Sequence, residues 1–305
     1  MSRTEEWRDW SCAVAVNATS APDLAPAVAI VRSVMAEVEA SASRFRADSD
    51  LSRINAAAGR YALVRPTTVH LVQLALAAAV RTAGAVTPTV GAALLAQGYD
   101  EDIDVVRARS AHAAPVPVPA PDASGAVRVD AELGRVGVTP GTVLDLGALA
   151  KAYAVDEAIA RIGRAGLGPV LVSIGGDLAT HGEETWQIAV SETAEAPAQL
   201  VDIDGGALAT SSSVGRRWAG DRHHLIDPRT GRCATGPWRT ATVWAPTAVE
   251  ANLLSTWALV DAGSAARALA DDTRPTRLAA AGGEVVAWHG WPAGSGPEQP
   301  QEQAS

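Results

Sequence analysis

The helical signals of this chain are bunched early and its β-like runs late, and that order most limits the folds open to it. Regular alternation of strand and helix would predict a parallel sheet. Helices followed by a succession of short strands predict an α+β fold with mostly antiparallel sheets flanked by helices. Apolar spacing places helices from Leu24 to Ala40 behind an Asp23 cap and from Thr67 to Ala83 before Gly84, with a short one opened by Asp48 or Ser49 and closed by Gly59. The strongest helical pattern is "GALAKAYAVDEAIARIGR", Gly147 to Arg164. Strand-like runs are "CAVAVNA", "GPVLVSI", "TWQIAVSE", "QLVDID", "ALATSS", "HHLIDP", "RTATVWAP" and "GEVVAWHG". "AVRVD" and "GRVGV" are expected to pair. Residues 107–124 are rich in Ala and Pro, which suits neither helix nor central strand and predicts an exposed excursion or hairpin insertion.

With 305 residues, 48% of them hydrophobic, the chain is long enough to bury a sizeable core. The expectation is one domain over residues 1–291 and a disordered Pro/Gln/Gly-rich tail over 292–305. A net charge of −9 leaves no basic excess to neutralise a nucleic-acid backbone, although local amides or a metal can still hold a small phosphorylated ligand. The two cysteines, Cys12 and Cys233, have no metal-ligand spacing and read as free thiols, with one distant disulfide as the alternative. No run approaches the roughly 18 apolar residues of a membrane span. "MSRTEEWRDWSC" has no apolar h-region, so a cytoplasmic protein is expected.

Four patches carry residues suited to chemistry. In "TVLDLGALAKAYAVD", Asp145 stands at a helix entrance and Lys151 lies among small residues that permit close approach; an ordinary cap and a snorkelling lysine are the bland alternative. "SIGGDLATHG" breaks a buried strand at Gly175-Gly176, where Asp177 can hold a turn; it lacks the spacing of a dinucleotide fingerprint. "ALATSSSVGRRWAGDRHHLIDPRTG" clusters hydroxyls at Thr210 to Ser213 and sets His223 and His224 on opposite sides of a strand, so that one imidazole can face inward as a proton acceptor. In "APTAVEANLLSTWALV", Thr247 and Glu250 form a capping box. Asn252, Ser255 and Thr256 remain as a polar stripe on an apolar helix. Either the hydroxyls bond back to the preceding turn, or the stripe faces a hard cation.

Taken in order, these motifs resemble the ApbE family of flavin transferases, the FAD:protein FMN transferases. "SRFRADSDLSRINAAAG", "GAVTPTVGAALLAQGYD", "LDLGALAKAYAVD", "VSIGGDLATHG", "HHLIDPRTG" and "PTAVEANLLSTWALV" are similar to its successive signatures, from about Ser43 to Val260. The resemblance implies an ApbE-like fold with an FAD cleft between subdomains. It implies a Mg²⁺-dependent enzyme that cleaves FAD, attaches FMN through a phosphoester to a Ser or Thr of an acceptor flavoprotein, and releases AMP. By the same resemblance Phe45, Ala85, Val86, Thr87, Asp145, Lys151 and Leu225 contact FAD. His224 assists proton removal from the acceptor. The Ala148 carbonyl, Asn252, Ser255 and Thr256 hold Mg²⁺. The chain departs from the family where Asn252 and Thr87 replace two usual aspartates, Ala148 and Ala152 replace glycines, and Ser212 stands at a common glycine position. Two other readings stay open at this stage: a metal-dependent FAD pyrophosphatase giving FMN and AMP, and a non-catalytic FAD-binding protein.

Overall fold

A computed structural model describes residues 3–57, 59–192, 196–270 and 272–292. Its centre is an eight-stranded sheet in the order Arg3–Asp9, Cys12–Ala18, Val170–Ile174, Asp177–His181, Ala207–Ser212, Trp238–Ala245, Thr276–Ala280, Val285–Trp288. Every neighbouring pair is antiparallel. Strand alternation divides the sheet into two apolar faces. Val14, Val16, Val172, Ile174 and Val243 point into the main core, shared with Val31, Val155 and Leu254 from three helices, Ala21–Ala42, Gly147–Arg164 and Ala248–Val260. Leu171, Leu178, Leu208 and Trp244 point the other way and are covered by a hairpin of Trp186–Val190 and Gln199–Ile203. The fold is therefore the expected mixture of helices and antiparallel sheet.

Most elements fall where their patterns put them, and the exceptions have local causes. The first long helix starts at Ala21, with Pro22 in its opening turn. Asp23 does not cap it; its Oδ2 instead accepts the Gly168 amide at 3.2 Å. Of the two candidates for the next helix start, Ser49 caps, accepting the Ser52 amide. Arg3–Asp9 was not expected as a strand. It pairs with Cys12–Ala18 through a two-residue turn in which Trp10 and Ser11 have φ of 47° and 55°. Hairpin turns of this kind favour Asn-Gly, and left-handed backbone costs an ordinary residue about 1–2 kcal/mol. The turn is tied down by Arg216 Nη2, which donates to the Trp10 carbonyl at 2.9 Å, and by Ser11 Oγ, which donates to Asp102.

The Pro-rich excursion is not a hairpin. From 108 to 122 it is an exposed strap without regular structure, between a short helix Ile103–Arg107 and a turn of helix Ala123–Ala126. It is anchored where the Ala120 amide donates to the Pro228 carbonyl at 2.8 Å and Thr89 Oγ1 donates to the Pro121 carbonyl at 2.7 Å. A second, smaller core of Leu94, Tyr99, Ile103, Val106, Trp218 and Ile226 lies on this side of the molecule. Of the expected tail, 293–305 lies outside the described residues.

Candidate functional site

A cleft of about 270 Å³ opens between the main core and the smaller one, over the ends of the central strands. An adjoining cavity shares Arg44, Phe45, Tyr99, Asp145, Lys151 and Arg216 with it, so the two form one elongated groove. The central floor is the two-residue turn Gly175-Gly176 between strands Val170–Ile174 and Asp177–His181. Both glycines are required. Gly175 has φ +64°, and a Cβ there would lie 3.3 Å from Cys12 Cβ and 3.8 Å from Lys151 Cε. A Cβ on Gly176 would come within 2.4 Å of the Thr210 carbonyl oxygen, because the Thr210 amide donates to Gly176 at 2.7 Å. The glycines thus bring the strand ends against Lys151.

Lys151 sits one turn into the Gly147–Arg164 helix, and it is the only lysine of the chain; the other basic residues are all Arg. It forms no ion pair among the described residues. Burial, and then the nearby Arg216, lower its pKa. At the helix entrance Asp145 is fully engaged: Oδ1 accepts the Gly147 amide at 2.8 Å and Oδ2 accepts Arg44 Nε at 2.8 Å. Arg44 also donates from Nη1 to the Tyr99 carbonyl at 2.7 Å, while its buried Nη2 has no partner. Phe45, 45% exposed, stands at the mouth with Arg44 over its ring and Tyr99 edge-on at 5.6 Å. An exposed aromatic beside a packed guanidinium offers a planar ligand a stacking surface.

The Ala85, Val86 and Thr87 segment lines the opposite wall. Thr87 takes the structural part that an Asp would play there, its Oγ1 accepting the Thr89 amide at the start of a 3-10 turn. Leu225 and His224 line the same cleft. The two histidines do face different ways. His223 Nε2 meets the Ala234 carbonyl at 3.1 Å, whereas His224 is turned to the cleft and its Nδ1 is unpartnered. Burial, with Arg216 and Lys151 nearby, holds the His224 pKa well below the usual imidazole range, so the ring is neutral.

The Ala248–Val260 helix divides its polar stripe. Ser255 is fully buried and does not line the cleft; its hydroxyl donates back to the Asn252 carbonyl at 3.1 Å. Asn252 and Thr256 do line it. Proton counting fixes the rest. Ser255 has spent its proton, so its 2.9 Å contact with Ser211 is one in which Ser211 donates. Ser211 has then spent its own, so at 2.9 Å it accepts from Thr256. The Thr256 hydroxyl also reaches Asn252 Oδ1 at 3.5 Å, so its one proton serves Ser211 and, more weakly, Asn252. Asn252 Nδ2 donates to Asp177 Oδ1 at 2.7 Å, which orients the amide and turns Asn252 Oδ1 toward Thr256 Oγ1, 3.5 Å away. Asp177 is 1% exposed and its Oδ2 has no partner. Burial raises the Asp177 pKa against the opposing pull of Lys151 and the Asn252 bond.

Sequence reading found this helix face and Lys151 but missed Arg44, Arg216 and Asp177 as parts of one site. Arg216 had no pattern to mark it, being one of two adjacent arginines in a charged loop. The solitary lysine is itself a compositional signal. Among the described residues no cluster of three His, Cys, Asp or Glu is placed to hold a metal. A cation here would depend on few, neutral oxygens: Asn252 Oδ1, Thr256 Oγ1 and the Ala148 carbonyl. Such donors suit a hard ion that keeps water and phosphate in its shell.

Comparison with known proteins gives the chain a family. The model of the ApbE family matches residues 9–281. The FAD:protein FMN transferase of Klebsiella pneumoniae (strain 342) is 31% identical over 252 residues, covering 75% of this chain and 70% of that one. The one from Salmonella typhimurium is 28% identical over 232 residues, covering 69% of this chain and 64% of its own. The chain thus spans about two thirds of the length of these relatives. The crystal structure of the ApbE protein from Thermotoga maritima superposes with a TM-score of 0.79 at 23% identity, covering 94% of this chain and 97% of that one. For the apo flavinyl transferase ApbE of Pseudomonas stutzeri the values are 0.76, 20%, 94% and 95%. The chain belongs to the ApbE family.

Proposed function

We propose that the chain is a Mg²⁺-dependent FAD:protein FMN transferase, moving FMN from FAD to a Ser or Thr hydroxyl of an acceptor flavoprotein and releasing AMP. The observation that carries this reading is that buried groups of both signs converge unpartnered on one elongated cleft: Arg44 Nη2, Asp177 Oδ2 and His224 Nδ1. Unmet donors and acceptors in one place fit a ligand that is itself an anion escorted by a cation, as a diphosphate is. Names of relatives supply the flavin; the cleft supplies an aromatic at its mouth and cations along its floor.

In this reading Phe45 stacks on a flavin or adenine ring, and the Ala85–Thr87 backbone and Leu225 confine it. Lys151, Arg44 and Arg216 hold the diphosphate oxygens, Arg44 being fixed in place by Asp145. The residues that fit the metal are Asn252, Thr256 and the Ala148 carbonyl, with Ser255 set behind them as the residue that orients the hydroxyl chain rather than as a ligand. A Mg²⁺ held by these residues would supply Lewis-acid polarisation of the diphosphate and offset charge on the leaving AMP. The acceptor hydroxyl oxygen forms the new bond to the FMN phosphorus as the P–O bond to AMP breaks. The neutral His224 ring takes the hydroxyl proton, and the local cations that lower its pKa are offset once the anionic substrate is bound.

The experiment is to incubate the protein with FAD, Mg²⁺ and an acceptor domain, following AMP release and covalent flavin fluorescence on the acceptor. Acceptor-dependent AMP with a fluorescent acceptor is expected. AMP released equally without acceptor would make the protein a pyrophosphatase, and FAD bound tightly with no AMP under any condition would make it a binding protein.

A further inference from the structure

We propose that Asp177 supplies the negative charge and one oxygen ligand of the cation site, a role that the late helix of this chain has given up at Asn252. This deepens the reading above and rests on it: a cation must bind in the cleft.

The late helix offers no carboxylate to the cleft, since Asn252 and Thr256 are neutral. A divalent ion held by neutral oxygens alone would lack the carboxylate that protein Mg²⁺ sites use. The nearest carboxylate to that face stands across from it on the first residue of strand Asp177–His181 and touches Asn252 through a 2.7 Å hydrogen bond. Three observations set Asp177 apart from an ordinary turn residue. It is 1% exposed, so water does not solvate it. Only Oδ1 is satisfied, by Asn252, and Oδ2 is left bare within a wall of the cleft. Its neighbours Gly175 and Gly176 are held by close backbone packing against Thr210 and Cys12, which fixes where the carboxylate emerges. A purely structural Asp at a hairpin would spend its oxygens on the turn amides; this one does not.

The hydrogen bond to Asn252 serves two ends. An ionised carboxylate only accepts, so the amide must present Nδ2 to it, and Asn252 Oδ1 is thereby pointed toward Thr256 Oγ1, 3.5 Å away. The pair therefore displays the unpartnered Asp177 Oδ2 and, beside it, Asn252 Oδ1, which is held only by a long contact from Thr256 Oγ1. Asp177 and Asn252 act as one unit with a single charge, and which partner carries that charge is interchangeable in principle.

The test is a charge exchange. Mn²⁺ alone is the probe, its binding read by the loss of free-ion paramagnetic resonance signal, with circular dichroism melting of each variant as a check of folding. FAD binding in EDTA is measured in parallel by flavin fluorescence. Asp177→Asn is expected to weaken Mn²⁺ binding by about tenfold or more, Asn252→Ala by less, and the double variant Asp177→Asn/Asn252→Asp to return to within about threefold of the wild type. A folded Asp177→Asn that binds Mn²⁺ like the wild type overturns the proposal. So does a folded double variant as weak as Asp177→Asn, and so does an Asn252→Ala loss exceeding that of Asp177→Asn, which would make the amide the ligand and the carboxylate its support. Wild-type protein that binds FAD but no Mn²⁺ would instead remove the cation from the functional reading itself.

Discussion

The two helices that meet the cleft contribute to it by opposite means. Gly147–Arg164 is amphipathic: its inner face is small and apolar, and its outer face is laced by pairs such as Arg161–Glu157. On that background Lys151, turned to the cleft, declares itself. Ala248–Val260 is buried almost all the way round, from Ala248 through Leu259 with the exceptions of Val249 and Glu250. There a polar side chain says little alone, because every buried polar atom needs a partner and the partner decides the role. Ser255 is claimed by Ser211 and its own helix, Asn252 is half claimed by Asp177, and Thr256 reaches both Ser211 and Asn252 from the cleft wall. In the proposed site the charged helix would contribute an ion directly, and the neutral one would arrange oxygens around a cation whose charge partner stands on a strand.

The first way to break that contrast is Lys151→Met, which keeps length and removes the charge. AMP release from FAD should fall by about 100-fold or more, the scale of losing one preorganised electrostatic contact in a dry site. An unchanged rate in a folded protein would reduce Lys151 to packing and make the two helices alike.

The second concerns the joint between the helices. Asp156, on the charged helix, accepts the Ala248 and Val249 amides at 2.7 and 2.9 Å and so caps the neutral one. Burial pushes its pKa up to about 6, with Asp177 adding to the effect and the two amides opposing it. A raised carboxyl pKa means that the folded protein keeps a proton the unfolded chain releases. The contribution of this group is therefore fully present below its ordinary value of 3.8 and is lost as pH rises through about 6. Urea unfolding of wild type and Asp156→Asn between pH 4 and 7 should show the wild type losing stability relative to the variant, by on the order of 2 kcal/mol. Parallel curves would mean that the carboxylate is charged throughout at no penalty.

Two smaller effects sharpen the division within the neutral helix. Thr256→Val should weaken Mn²⁺ binding about tenfold, as loss of one ligand or its close support does. Ser255→Ala should leave Mn²⁺ affinity within about twofold and cost about 1 kcal/mol of stability in urea, the usual worth of a buried hydrogen bond. Equal metal effects for the two would restore Ser255 to the ligand set.

Much of this was legible in the sequence. The Gly147–Arg164 helix and the Thr247 cap follow from spacing and local chemistry, and both stand where the pattern puts them. Glu250, however, does not close the capping box; its carboxylate is drawn off to Arg81 and Arg274, distant residues that no local rule registers. Strand Arg3–Asp9 was hidden because it is an exposed edge without apolar alternation, and its turn uses Trp10 and Ser11 where turn chemistry would look for glycine. The same hydrogen bond that steadies this turn, from Arg216, brings a distant loop arginine into the cleft. Asp177 was read as a turn residue because sequence shows what a side chain is next to along the chain, not that its turn amides point elsewhere and its second oxygen is bare.

The solitary lysine has a practical side. An amine-directed reagent finds two addresses on this chain, the terminal amine and Lys151. The depressed pKa leaves more of the Lys151 amine unprotonated, and therefore nucleophilic, than an ordinary lysine at the same pH. A bound occupant of the cleft would shield it. The molecule thus carries its own occupancy gauge: intact mass after mild acylation, with and without a ligand, counts filled clefts without any engineered label.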